Sequence, residues 1–231
     1  MLFNLLQATA DTTDLVQNVA VQQETLSLIQ LASKGGWLMI VLLLLSIMAI
    51  YIFGNKWWLI RKAGQIDKDF MKDIHDYIHD GKIKSALELC QRYDSPVARL
   101  VEKGIERIGR PLQDIQTAVE NTGSVEVARL EKGLPMLATI AGGAPMIGFL
   151  GTVTGMIQAF FKMSTAGNNI DITLLSGGIY EAMVTTVGGL FVGIIAYFGY
   201  NFLTSQISNL VFKMERANIE FIDMLHEPSE N

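Results

Sequence analysis

Three long stretches of this chain carry almost no charge, and they limit the folds open to it. They cover residues 35–55, 134–161 and 172–212, and Glu181 is the only charged residue inside them. The first stretch has 21 residues, which as a helix would be roughly 32 Å long, enough to cross a hydrocarbon core of about 30 Å. The pattern therefore predicts an all-α membrane protein with three transmembrane helices.

The same stretches divide the chain into seven predicted segments. These are a periplasmic N-terminal segment 1–33, a transmembrane helix 34–55, a cytoplasmic helical domain 56–133, a second transmembrane helix 134–161, a periplasmic turn 162–173, a third transmembrane helix 174–203 and a cytoplasmic C-terminal helix 204–231. The second and third charge-free stretches are longer than one bilayer thickness. Both helices are therefore expected to extend beyond the lipid into the cytoplasmic helical domain.

Basic residues beside the spans predict the orientation. Lys34 and Lys162 are the only cations on one side of the predicted membrane, whereas segment 56–133 holds 14 Lys and Arg on the other side. Cytoplasmic segments next to spans carry an excess of Lys and Arg. The N-terminus is therefore predicted to lie outside, on the periplasmic side, and the C-terminus in the cytoplasm.

Turn and capping residues predict helices throughout the cytoplasmic domain. Ser95 followed by Pro96 is typical of a helix N-cap with proline at the first helical position. Gly109 marks a break between helices. Residues 112–134 are expected to form a helix that continues into the second span, with a kink at Pro135.

Glu181 is the first candidate for a functional residue, because a charged carboxylate in a bilayer costs at least about 2.5 kcal/mol on insertion scales. Within the three charge-free stretches there is no Lys or Arg to pair with it. It must therefore face water or remain protonated. The alternative is that Glu181 lies only about 10 Å from the outer surface, in the first turns of its helix, and reaches water there.

Threonines in both long spans extend this hypothesis to an ion pathway lined by Thr152, Glu181, Thr185 and Thr186. Thr185 follows Glu181 by four residues and so shares its helix face. Thr152 lies at a similar depth in the preceding span, counted from the turn between the two helices. Hydroxyl oxygens at one depth can relay a proton or bind a dehydrated cation. The alternative is that these hydroxyls only bond to carbonyls of their own helices.

Glycines at spacings of three and four predict close packing between the second and third spans. Gly148, Gly151 and Gly155 lie on one face of the second span, and in the third span Gly177, Glu181, Thr185, Gly189 and Gly193 follow one another at steps of four. Small residues at this spacing allow two helix backbones to approach each other.

Several function classes find no support in the sequence. No catalytic set or phosphate-binding loop occurs, so we expect neither an enzyme nor a cofactor. His75 and His79, beside two Asp residues, resemble a metal site, but a solvated helix face explains them better and no metal is expected. A net charge of −5 without a basic cluster gives no support for nucleic-acid binding.

Two sequence stretches resemble the MotA/TolQ/ExbB proton-channel family, and within it ExbB most. Residues 137–157 read LATIAGGAPMIGFLGTVTGMI, and residues 178–190 read GIYEAMVTTVGGL. The resemblance extends over about residues 35–225. It implies an ion-channel and motor subunit of the inner membrane, which uses the ion-motive force to energise outer-membrane transport.

The resemblance also implies partners and roles. It implies a homo-oligomer, a pentamer around a pore, which holds the single-span helix of an ExbD-like partner and acts through a TonB-like protein. By position, Thr152 and Thr186 match the family's pore threonines, and Glu181 matches its third-span glutamate. Thr185 occupies a position that is often alanine, and paired threonines are similar to those of sodium-driven stators, which leaves the ion open. The alternatives are a TolQ-like envelope-maintenance subunit and a passive membrane scaffold.

Overall fold

The computed structural model describes residues 36–67, 69–165 and 172–226, and it is helical wherever it forms regular structure. The predicted segment 1–33, the centre of the predicted turn 162–173 and the last five residues lie outside the described residues. The described helices are α1 (Gly36–Ala63), α2 (Phe70–His79), α3 (Ile83–Arg92), α4 (Pro96–Ile105), α5 (Leu112–Glu131), α6 (Leu134–Thr165) and α7 (Ile172–His226).

Three of these helices are long and apolar enough to cross a membrane, which confirms the predicted fold class. They are α1 with 28 residues, α6 with 32 residues and α7 with 55 residues. At 1.5 Å per residue α6 is roughly 48 Å long and α7 roughly 83 Å. Both therefore extend well beyond a hydrocarbon core of about 30 Å.

The shorter helices pack with the far end of α7 into a helical domain. Helix α4 lies at its centre, and residues on most of its faces are buried. Phe221 of α7 is fully buried, and its ring fills the place that a side chain on Gly104 of α4 would occupy. Phe70, Ile74 and Cys90 complete this part of the core. The domain is thus built around the continuation of a membrane helix.

Ser95 connects the C-terminal end of α1 to the helical domain through a hydrogen bond. It lies at the N-cap of α4 in an extended conformation, with Pro96 at the first helical position. Its buried hydroxyl, however, donates to the carbonyl oxygen of Ala63 at 3.0 Å rather than to α4. The side chain therefore satisfies a carbonyl at the C-terminal end of α1, which has no partner within its own helix.

A network of charged side chains holds the same junction together. Arg99 donates two hydrogen bonds to Glu126, at 2.9 and 2.7 Å, and a third to Asp94 at 2.8 Å. Lys62 also donates to Asp94, at 2.9 Å. The hydrogen bonds that Arg99 donates to Glu126 raise the pKa of Arg99, and those that Asp94 accepts from Lys62 and Arg99 lower the pKa of Asp94. The network links α1, α4 and α5.

The expected continuous helix from 112 into the second span is interrupted in the structure. Helix α5 ends at Glu131 and α6 begins at Leu134, with Gly133 between them at φ 94°. That left-handed conformation favours glycine and ends a helix. Pro135 is then the second residue of α6, where proline is tolerated and produces no kink. Lys56 of α1 donates to the carbonyl oxygens of Arg129 and Leu130, at 3.2 and 3.1 Å, in the last turn of α5.

Candidate functional site

Helices α6 and α7 approach each other through a contact between their backbones. A Cβ atom built on Gly189 would lie 2.6 Å from the carbonyl oxygen of Ala144 and 2.8 Å from Cα of Gly148. A Cβ on Gly148 would lie 3.1 Å from Cα of Gly189. There is no room for a side chain between the helices here, so the two glycines are what allows the backbones to come this close.

The remaining predicted packing glycines extend this contact in both directions. A Cβ on Gly151 would lie 2.5 Å from Cγ2 of Thr185, and one on Gly155 would lie 2.8 Å from Cβ of Ala182. At the other end, a Cβ on Gly193 would lie 2.5 Å from Cγ of Pro145. Because Pro145 cannot donate to the carbonyl of Ala141, that oxygen is left to face α7, 3.0 Å from the same Gly193 Cβ position.

The contact also includes a glycine that the sequence reasoning missed. A Cβ on Gly178 would lie 2.6 Å from Cβ of Ala159, whereas one on Gly177 would have nothing within 4 Å. An α-helix has 3.6 residues per turn, so residues at uniform steps of four lie progressively further around the helix. A row of residues at that spacing therefore does not stay within the contact. The contacting α7 positions follow mixed steps of three and four, and that spacing is the sequence signal: 178, 182, 185, 189 and 193.

Thr152 and Thr186 form a pair of hydroxyl groups across this contact. Their Oγ1 atoms are 3.0 Å apart, and both side chains are half-buried. Thr186 Oγ1 also lies 2.9 Å from the carbonyl oxygen of Gly148, and Thr152 Oγ1 lies 2.7 Å from that of Phe149. Each hydroxyl has one proton and two acceptor lone pairs. If Thr152 donates to Phe149, the proton of Thr186 can go either to Thr152 or to Gly148.

Thr185 lies beside this pair but in a different environment. Its side chain is 2% exposed and packs on Gly151 inside the helix contact. Its hydroxyl donates to the carbonyl oxygen of Glu181 at 2.9 Å, within its own helix. Thr154 likewise donates to Leu150 at 2.9 Å. Both hydrogen bonds go to a carbonyl oxygen of the residue's own helix, as is common for threonine in membrane helices.

The carboxylate of Glu181 lies at the outer surface of the α6–α7 pair, against the start of α1. Its Oε1 atom occupies the place that a side chain at residue 36 would take, and Gly36 has φ 65°. The first turn of a helix carries partial positive charge from its amide groups, which stabilises a nearby carboxylate. The structure therefore brings Thr152 and Thr186 together and joins Glu181 to α1.

Large apolar side chains cover the outer faces of the membrane helices. Those more than half exposed include Ile40, Leu44, Phe149, Phe191 and Phe198. A soluble monomer rarely shows so continuous an apolar surface. These faces therefore suit contact with lipid or with other membrane helices.

Comparison with known proteins places this site within a family. Residues 92–216, more than half of the chain, match the MotA/TolQ/ExbB proton channel family. The chain belongs to this family. The matched region contains α6, the whole α6–α7 contact, the three threonines and Glu181, whereas α1 lies before it.

Individual relatives agree with this membership. The chain is 29% identical over 203 residues to a putative ExbB-like biopolymer transport protein of Synechocystis, covering 85% of this chain and 80% of the relative. It is 26% identical over 190 residues to a putative ExbB homologue of Methanothermobacter thermautotrophicus, covering 82% and 67%. A TolQ protein of the Tol-Pal system from Haemophilus influenzae is 36% identical over 101 residues, 44% of each chain. Family and fold together make the chain a multi-pass protein of the bacterial inner membrane with an ExbB-like role.

Proposed function

We propose that the chain is the channel subunit of an ion-driven motor, in which the Thr152–Thr186 pair forms part of the ion pathway. Several copies, a pentamer, would surround the single-span helix of an ExbD-like partner that carries the titrating carboxylate. Ion flow would drive movement of that partner relative to the ring. A TonB-like protein would pass the resulting force to outer-membrane transporters.

The observation that carries the proposal is the 3.0 Å contact between the two hydroxyls at the backbone contact of α6 and α7. Two Oγ1 oxygens held together retain acceptor lone pairs, so they can accept a hydrogen bond from a protonated partner or bind a cation. The glycine contacts fix the helices that carry them, which preorganises the pair. Glu181 adds a carboxylate near the N-terminal end of α7, beside the start of α1, where it would tune the entrance to the ion pathway.

The experiment is hydroxyl removal with a matched control. Thr152→Val and Thr186→Val remove a hydroxyl while nearly preserving side-chain volume, and Thr154→Val does the same on α6 at a hydroxyl that bonds only its own helix. Proteoliposomes containing the chain and its co-purifying partner are given a pH gradient, and a trapped pH dye reports proton flux. The first two variants should reduce the flux at least tenfold, a barrier change of about 1.4 kcal/mol, and the third should not.

A passive scaffold makes the opposite prediction. Under that alternative, Thr152→Ala, Glu181→Ala and Thr186→Ala all leave energised uptake unchanged in cells, and this outcome would refute the channel. Replacing external sodium with choline in the same flux assay separates a sodium pathway from a proton pathway. Native mass spectrometry of the extracted complex tests the pentamer, since a monomer or dimer contradicts it.

The TolQ-like role is the second candidate, because a TolQ relative matches 44% of the chain at 36% identity. In that role the partner that receives the force would be TolA-like, and the phenotype of a deletion would be loss of envelope integrity. A TonB-like neighbouring gene together with loss of energised uptake favours the first candidate. Detergent sensitivity with normal uptake favours the second.

A further inference from the structure

A cleft between α1 and α7 lies where the apolar part of each helix ends and polar residues begin. It has a volume of about 410 Å³, and Trp57, Ile60 and Arg61 line it from α1. The charge-free stretch of α1 ends just before Lys56, next to the lining residue Trp57, and the third predicted span ends at residue 203, between the lining residues Phe202 and Gln206. The cleft is therefore at the level where lipid headgroups meet the protein, on the side of the membrane that carries the helical domain.

The lining changes from apolar to polar along the cleft. On α7 the lining begins with Phe202 and Leu203 and continues with the polar residues Gln206, Asn209 and Lys213, with Leu210 among them. Phe202 continues the apolar surface of the span, and its ring lies 6.2 Å from that of Phe53 on α1. This order matches the order of groups along a phospholipid, from acyl chain through glycerol and ester oxygens to phosphate.

The polar end of the cleft is positively charged. Arg61 and Lys213 line it together, and among the residues that the structure describes no acidic side chain does so. The Arg61 guanidinium lies 5.7 Å from the centroid of the Trp57 ring. Its neighbour Lys62, in contrast, points to the helical domain and pairs with Asp94 at 2.9 Å. Within the described chain, neither Arg61 nor Lys213 forms an ion pair with a carboxylate.

We infer that this cleft binds the headgroup of an anionic phospholipid, with the phosphate between Arg61 and Lys213 and one acyl chain along Phe202. Cations clustered just outside an apolar span attract acidic lipids. The amide groups of Gln206 and Asn209 supply hydrogen-bond donors for ester and glycerol oxygens. A free phosphate would use the cations but leave the apolar end unoccupied, so the gradient of the lining favours a lipid.

Tryptophan fluorescence provides a local test. The chain has three tryptophans, Trp37, Trp57 and Trp58. Replacing Trp37 and Trp58 with phenylalanine leaves Trp57, in the cleft wall, as the single reporter. The full-length protein, with any co-purifying partner, is placed in nanodiscs of phosphatidylcholine containing either brominated phosphatidylglycerol or brominated phosphatidylcholine. Bromine quenches fluorescence only at contact, so the ratio of quenching measures preference for the anionic lipid at this cleft.

The expected result is stronger quenching by brominated phosphatidylglycerol, with the preference reduced about fivefold by Arg61→Gln or Lys213→Gln and about 25-fold by both together. Arg61→Lys should keep most of the preference. The matched control, Lys132→Gln with Arg216→Gln, removes two exposed cations that do not line the cleft and should leave it unchanged. Equal quenching by both lipids, or an equal loss in the control, would overturn the inference. The same oligomer size on gel filtration for each variant shows that folding is retained.

Discussion

Alanine at Gly189 tests whether the backbone contact of α6 and α7 holds the candidate site in place. The added methyl group would lie 2.6 Å from the carbonyl oxygen of Ala144 and 2.8 Å from Cα of Gly148. Both neighbours are backbone atoms, so neither can turn aside as a flexible side chain would. The two helices must separate instead.

The size of the effect follows from these distances. Carbon atoms in contact are favourably about 3.5–4.0 Å apart, so the methyl group is short of contact distance by about 1 Å. Overpacking of this kind costs about 1–3 kcal/mol. The substitution also gains about 0.5–1 kcal/mol, because alanine is the better helix former. Separation of the helices would also lengthen the 2.9 Å hydrogen bond between Thr186 and the carbonyl of Gly148.

The matched control is Gly177→Ala, on the same helix but with nothing within 4 Å of the added methyl group. The helix-propensity gain is common to both variants, so the difference in their free energies of unfolding isolates the collision. Titration with SDS in mixed micelles measures that difference, and we expect Gly189→Ala to be less stable by about 1–3 kcal/mol. If both variants are equally stable, the helices are not held together through this backbone contact and the reasoning fails.

Three further predictions concern the helical domain and its junction with the membrane helices. Arg99→Ala leaves the buried Glu126 without the side chain that donates two hydrogen bonds to it, and should lower the free energy of unfolding by about 3 kcal/mol. Lys103→Ala breaks an exposed ion pair and should lower it by less than about 0.5 kcal/mol. Equal losses in the SDS titration would contradict this. Burial raises the pKa of the Cys90 thiol from 9.0 to about 12, so native protein should react with maleimide about a thousandfold more slowly than unfolded protein. Because the unfolded thiol ionises first, the free energy of unfolding should fall above pH 9, and Cys90→Ala should remove that fall. Lys56→Met leaves the last carbonyls of α5 without a donor, and amide hydrogen exchange over 129–133 should accelerate on the order of tenfold; unchanged exchange would show that the lysine does not secure this junction.

Sequence reasoning reached the three membrane helices because charge is excluded from lipid, and that rule acts on each residue locally. It also placed Thr152 at a depth similar to that of the threonines in the third span, since membrane depth can be counted along each helix from a turn, and the structure holds its hydroxyl beside that of Thr186. It did not find Gly178, because a stripe drawn at uniform steps of four ignores the drift of a helix with 3.6 residues per turn.

Contacts between distant parts of the chain were beyond the sequence. The position of the Glu181 carboxylate against Gly36 depends on how α1 lies on α7, and no local pattern encodes that arrangement. The break at Gly133 had a local signal, a glycine before a proline-containing helix start, but a single glycine is also compatible with a continuous helix. The same ambiguity applies to Ser95, whose capping position was predictable but whose hydroxyl partner on α1 was not.

The uninterrupted length of α7 has a mechanical consequence. From Thr186 to Phe221 the chain is one continuous helix of roughly 53 Å. Two other covalent routes connect these regions: one runs from α1 into α2, and the other passes through Gly133 between α5 and α6. A tilt of about 5° at the threonine end therefore displaces the Phe221 end by roughly 5 Å. Phe221 packs against Gly104 of α4, so the displacement is transmitted to the centre of the helical domain. The chain at Gly133 accommodates the accompanying change in angle.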